Sequence, residues 1–108
     1  MDRSLPAVNP PPASRGGVFV YILTCPDGSF YVGSAKDVCR RIRLHQTGRG
    51  AKFTQDHPTV KLVYFEGPFD PTEAVRREFQ LKRWSRAKKL SLIRSDALTL
   101  HSLSRSHD

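Results

Sequence analysis

The sequence predicts an α/β domain of the α+β type: a three-stranded, mainly antiparallel sheet flanked by helices. Three observations lead there. Two short apolar runs, Gly17 to Thr24 and Ser29 to Ser34, are separated by Cys25-Pro26-Asp27-Gly28, and Pro-Asp-Gly supplies the preset φ and the permissive glycine of a tight reversal. A third run, Val60 to Gly67, is rich in β-branched and aromatic residues. Between and after these runs, apolar residues recur at helical spacing.

Taken in order, residues 1–16 hold four of the eight prolines, including Pro10-Pro11-Pro12. Such a stretch is poorly suited to helix or sheet hydrogen bonding and reads as a disordered leader. The domain is expected over residues 17–95, with a flexible tail over 96–108. In the hairpin, side chains alternate in direction, so Tyr21 shares a face with Phe19 and Leu23, and Tyr31 shares one with Ser29 and Gly33. Both tyrosines also fit ordinary strand packing.

A helix is expected from about Lys36 to Thr47, with Ser34 or Asp37 as its cap and Gly48 and Gly50 as its stop. At 100° per residue, Val38, Ile42 and His45 fall within about 60° of arc and Arg41 lies at its edge. Arg41 and His45 are therefore i, i+4 neighbours that look toward the sheet. The basic loop Gly48-Arg-Gly-Ala-Lys-Phe-Thr54 follows. Its Arg49 and Lys52 can contact a nucleic-acid backbone. Asp70-Pro71-Thr72-Glu73 then combines a cap, a proline at the first helical position and an early glutamate, a strong helix start. In that helix Glu78 falls inside the apolar arc formed by Ala74, Val75, Phe79 and Leu81. An inward carboxylate is costly unless it is paired or bound to a cation. A salt bridge with Arg41 or Lys82 would satisfy it, and so would a hard divalent ion, which needs only one or two carboxylates. A last basic helix, capped by Ser85, would dock through Leu90 and Ile93 and leave Arg86, Lys88 and Lys89 for phosphates.

Lys and Arg number 18 against 10 for Asp and Glu, a net charge of +8, and 15 of the basic residues fall between Lys36 and Arg94. The excess therefore sits on the folded part and favours a polyanionic partner, nucleic acid first. Two cysteines, Cys25 and Cys39, with no Cys-x-x-Cys argue against a zinc site and suit a reducing cytoplasm. No run approaches the length of a membrane span, and Met-Asp-Arg-Ser-Leu lacks the order of a signal peptide.

Phe19-Val20-Tyr21 and Tyr31-Val32-Gly33, followed by the basic helix with Arg41 and His45, resemble the GIY-YIG nuclease family, and the likeness runs from about Val18 to Ile93. The first motif keeps its tyrosine but not the glycine and isoleucine before it; the second is a conservative match. The resemblance implies the order of the sheet. It also implies that Arg41 and His45 match the family's arginine and its partner one turn later, and that Glu78 matches its metal-binding glutamate. Lys52 sits in a loop like that of the small single-domain members. Many members carry an asparagine about a dozen residues after the glutamate, where this chain has Leu90 and no asparagine.

The expected activity is an endonuclease dependent on Mg²⁺ or Mn²⁺ that cuts DNA with low sequence specificity by in-line attack of one water. Glu78 would hold the ion and Arg41 would steady the charge developing on the phosphoryl group. Tyr21 or Tyr31 would orient or deprotonate the water if nearby cations lower the phenol. Gly33 would let the chain pass close to the site. These side chains are expected to share one side of the sheet in a single shallow basin, in a protein that acts as a monomer without an organic cofactor. The alternatives are a nucleic-acid-binding module of the same fold that has lost turnover, and a basic adaptor for an acidic protein.

Overall fold

The computed structural model describes residues 5–46 and 60–106. The elements are β1 (Val18–Thr24), β2 (Phe30–Ala35), α1 (Val38–Gln46), β3 (Lys61–Phe69), α2 (Pro71–Arg83) and α3 (Arg86–Ser106). The sheet is antiparallel throughout, in the order β2-β1-β3. The expected α+β architecture is therefore the observed one, with β1 central and β2 on an edge.

Local chemistry closes each junction as the sequence suggests. In the hairpin turn Gly28 adopts φ of 87°, its N–H donates to the Cys25 carbonyl at 2.8 Å, and Cys25 N–H donates to Ser29 O at 3.0 Å. A glycine in the left-handed region after a tight turn lets two antiparallel strands meet in register. Asp37, not Ser34, caps α1, its Oδ1 accepting from Arg40 N–H at 3.0 Å. Asp70 caps α2 by accepting from Glu73 N–H at 2.9 Å, and Ser85 caps α3 by accepting from Lys88 N–H at 3.1 Å.

Each face of the sheet carries its own core. On one, Phe19, Tyr21, Leu23, Ala35 and Leu62 pack with Val38 of α1. On the other, Val20, Ile22, Val32, Val63 and Tyr64 pack with Ala74 and Leu81 of α2 and Ile93 of α3. A register shift between the pairs Ile22–Tyr64 and Leu23–Leu62 lets β3 supply Leu62 to the first face and both Val63 and Tyr64 to the second. Bulges of this kind redirect side chains without ending the strand.

Three expectations meet a different arrangement. Val75 and Phe79, placed by periodicity in the inward arc of α2, are 66% and 63% exposed. The helix touches the sheet along the narrower line of Ala74, Glu78 and Leu81, spaced i, i+4, i+7, so only that stripe is covered. Residues 5–16, set apart as a leader on composition, lie against the domain: Val8 N–H donates to Leu62 O and Ser14 N–H to Lys36 O, both at 2.9 Å, and Pro11 is buried. A proline-rich strand cannot enter a sheet ladder, yet it can make isolated bonds and bury its rings. The last helix continues to Ser106, through the stretch expected to form a tail from residue 96.

Arg77 joins α2 to the strand beside it. It pairs with Glu66 of β3 at 2.5 Å and lies over the Trp84 ring at 5.2 Å, tying α2 to the sheet.

Candidate active site

Strand pairing sets Tyr21 opposite Gly33. The Tyr21 ring crosses the glycine so closely that a Cβ there would lie 2.6 Å from the hydroxyl oxygen. Gly33 therefore makes room for the phenol of the neighbouring strand, a more specific role than letting the chain skirt the site. Tyr21 is fully buried, and its hydroxyl lies 3.2 Å from Nε2 of His45, itself 1% exposed. Tyr31 is half-buried and meets the same imidazole edge-on at 5.1 Å between ring centres. The two hairpin tyrosines and the helix histidine thus form one aromatic cluster under α1.

Electrostatics divide the roles within it. Burial, joined by the nearby Tyr31 phenol, pushes Tyr21 well above the usual tyrosine range, and the Arg41 guanidinium offsets only part of that. The expectation that cations would lower this phenol is thus reversed, because loss of water outweighs one exposed arginine. Burial likewise lowers His45, and Arg41 lowers it further. Tyr21 and His45 therefore meet as two neutral groups, phenol and imidazole, at neutral pH.

Glu78 and Arg41 reach the same residue from opposite sides. Arg41 Nη1 donates to the Ser34 carbonyl at 3.4 Å, and Ser34 Oγ–H donates to Glu78 Oε1 at 2.6 Å. Glu78 Oε2 pairs with Lys82 Nζ at 2.8 Å, one of the two ion pairs anticipated for it. Helix α2 covers the face opposite Tyr21 and Tyr31, so the expected basin is not on one side of the sheet. Arg41 and Glu78 meet instead at Ser34, on the edge strand β2. Proximity to Glu78 still contributes to raising the Tyr21 phenol, which places the carboxylate within electrostatic reach of the cluster.

The sequence offers Ser34 only as one of two candidate caps for α1, and its tie to Glu78 is the contact that the residue pattern does not reveal. The available signal was its place directly after Gly33 on a strand. Of the other basic candidates, Arg86 is braced: its guanidinium lies 4.5 Å over the Phe30 ring and donates to Gly28 O. Lys88 sits 4.3 Å from the Trp84 ring centre. Lys89 lines a groove with Tyr31 and Lys82. Arg49 and Lys52 lie outside the described residues.

A single carboxylate suits a hard divalent ion whose remaining ligands are water and substrate phosphate. Glu78 has one oxygen held by a hydroxyl and the other on a half-exposed ammonium, so it already accommodates a replaceable positive charge. Among the described residues, no group of three or more His, Cys, Asp or Glu is gathered to hold a metal.

The family model for the GIY-YIG catalytic domain matches residues 17–91. The chain belongs to the GIY-YIG family. A UPF0213 protein of Staphylococcus aureus strain Mu3 is 49% identical over 76 residues, covering 70% of this chain and 93% of that one, and the UPF0213 proteins of strains Mu50 and N315 match equally. A UPF0213 protein from Bacillus halodurans, solved by solution NMR, is 43% identical, with a TM-score of 0.47 over 71% of this chain and 82% of its own. GIY-YIG membership makes this a domain of a nuclease family, with nucleic acid as the implied substrate. Among the described residues, no helix is long and apolar enough to cross a membrane.

Proposed function

We propose that this GIY-YIG protein is a divalent-metal-dependent endonuclease that hydrolyses phosphodiester bonds in DNA with low sequence specificity, and that its centre lies at the β2 edge around Ser34. The observation that carries the reading is the meeting of Arg41 and Glu78 on that one residue, beside the Tyr21–His45–Tyr31 cluster. A guanidinium and an anchored carboxylate within one residue's reach offer a phosphate both a fixed cation and a seat for a mobile one.

Glu78 would hold Mg²⁺ or Mn²⁺, with Ser34 keeping its carboxylate in place. An ion held there would supply charge neutralisation to a bound phosphate. Arg41 grips a non-bridging phosphate oxygen, and its permanent charge matches the charge that builds as water adds to phosphorus and the opposite P–O bond breaks. Tyr31 lines the groove at the β2 edge, so it is the phenol that a bound water can reach and orient. Tyr21 is a positioning residue: buried and protonated, it holds His45 and packs over Gly33. His45 backs both rings and keeps Tyr31 in place.

Two free thiols suit a reducing compartment, and we place the protein in the cytoplasm, acting as a monomer in DNA processing or repair. A second reading, a DNA-binding module without turnover, draws on the Lys82–Glu78 ion pair, which holds the carboxylate that the metal needs. One experiment separates the two. Nicking of DNA that requires Mg²⁺ or Mn²⁺ and vanishes in Glu78→Ala, while salt-sensitive binding persists, supports the enzyme. Binding without cleavage under any divalent metal supports the module.

A further inference from the structure

The edge of β2 leads away from Ser34 toward the hairpin turn, and two hollows that share Phe30 as a wall lie along it, each with basic side chains in its lining. Lys82 and Lys89 flank Tyr31 and Val32 in a groove of about 240 Å³. Beyond it, between the turn and α3, opens a larger cavity of about 590 Å³. Its walls are apolar at Pro26, Phe30 and Leu90, its cations are Lys61, Arg86 and Arg94, and among the described residues no carboxylate lines it. Arg86 is fixed in place, stacked on Phe30 and bonded to Gly28 O, so a flat cationic surface stands ready on one wall. An apolar pocket rimmed by three cations matches a ligand with a flat ring and an attached anion. A nucleotide has both.

We propose that this cavity takes the base and phosphate of one nucleotide of the substrate strand, and that the groove carries the strand between it and the cutting centre. The inference rests on the nuclease reading above and adds to it where the strand runs. Phe30 lies four residues before Ser34, roughly 13 Å along the strand. That distance is about four stacked steps at 3.4 Å, fewer for an extended strand. The pocket nucleotide therefore sits two to four positions from the scissile phosphate. Its base must leave any duplex stack to enter, which favours a substrate that is unpaired on that side. The base lies against the Phe30–Arg86 stack, where aromatic and guanidinium planes are tolerant of sequence. Lys61 and Arg94 take the phosphate.

The test is binding of a fluorescein-labelled single-stranded oligonucleotide in EDTA, with one abasic site moved along the chain. Affinity is expected to fall about 5- to 100-fold at one position and little elsewhere. That dip should disappear in Phe30→Leu, which keeps the core apolar, and Lys61→Glu with Arg94→Glu should weaken binding of the intact strand by roughly tenfold. Circular dichroism confirms that the variants fold. A flat abasic profile, an unchanged profile in Phe30→Leu, or a free mononucleotide that competes as well as the strand overturns the proposal. Cleavage with a flat profile removes the pocket and leaves the nuclease; a dip without cleavage in Mg²⁺ or Mn²⁺ removes the nuclease and leaves the pocket.

Discussion

Gly33 and the ring of Tyr21 occupy space that a side chain at position 33 would need. A Cβ there would stand 2.6 Å from the phenolic oxygen and 2.7 Å from the ring carbon bearing it. Tyr21 is fully buried and cannot swing away. Gly33→Ala should therefore cost about 1–3 kcal/mol, an overpacking penalty measured by urea denaturation. In a double-mutant cycle with Tyr21→Leu the two losses should fall short of additive, because the smaller side chain vacates the contested volume. Additive losses would show that the strain lies elsewhere.

Ser34 holds Glu78 by one hydrogen bond to a charged group. Removing such a bond costs about 1.5–3 kcal/mol when the partner stays desolvated. Glu78 is partly exposed, so the lower end applies. Ser34→Ala should fold normally but require roughly tenfold more Mn²⁺ for half-maximal nicking. A metal titration that overlays the wild type would remove Ser34 from the site.

Lys82 competes for the oxygen that a metal would use. The pair is half-exposed, and such pairs contribute about 0.2–1 kcal/mol. Lys82→Met should therefore shift the metal midpoint about two- to fivefold lower. The shift should shrink at high salt, where screening already weakens the ion pair. A higher midpoint would mean that Lys82 serves the substrate more than it restrains the glutamate.

His45 is held neutral by burial and by Arg41, so its folded value lies below the ordinary 6.5. The unfolded chain then takes up the proton first as pH falls. Stability should be level above about pH 6.5 and decline below it, continuing until the folded imidazole itself titrates. Thermal melts between pH 8 and 5 should show this slope, and His45→Gln should flatten it. Arg41→Ala, by removing one cause of the depression, should lessen the slope without abolishing it.

Asp70 offers a control far from the chemistry. Its side chain caps α2 through Glu73 N–H, and Asp70→Ala should cost about 1 kcal/mol of stability. Nicking per folded molecule should be unchanged. Loss of activity beyond the loss of folded protein would mean that the start of α2 bears on Glu78.

Much of the fold is written in short-range signals. Cys25-Pro-Asp-Gly28 closes its turn within four residues, Asp70 and Ser85 cap helices through amides three positions on, and period-two alternation divides Phe19, Tyr21 and Leu23 from Val20 and Ile22. Each outcome depends on neighbours in the chain, so composition and spacing determine it. The residue types of the site, two phenols, a guanidinium, an imidazole and a carboxylate, were legible in the same way.

Only tertiary packing decided how those groups meet. Ser34 and Glu78 are 44 positions apart, and their bond exists because β2 is an edge strand that α2 can overreach. Periodicity points a helix face in a direction but does not say how wide a stripe is covered, so Val75 and Phe79 remain exposed while Glu78 is drawn in. The ionisation of Tyr21 follows the same logic. Burial is a property of everything packed around a group, and no local pattern carries it.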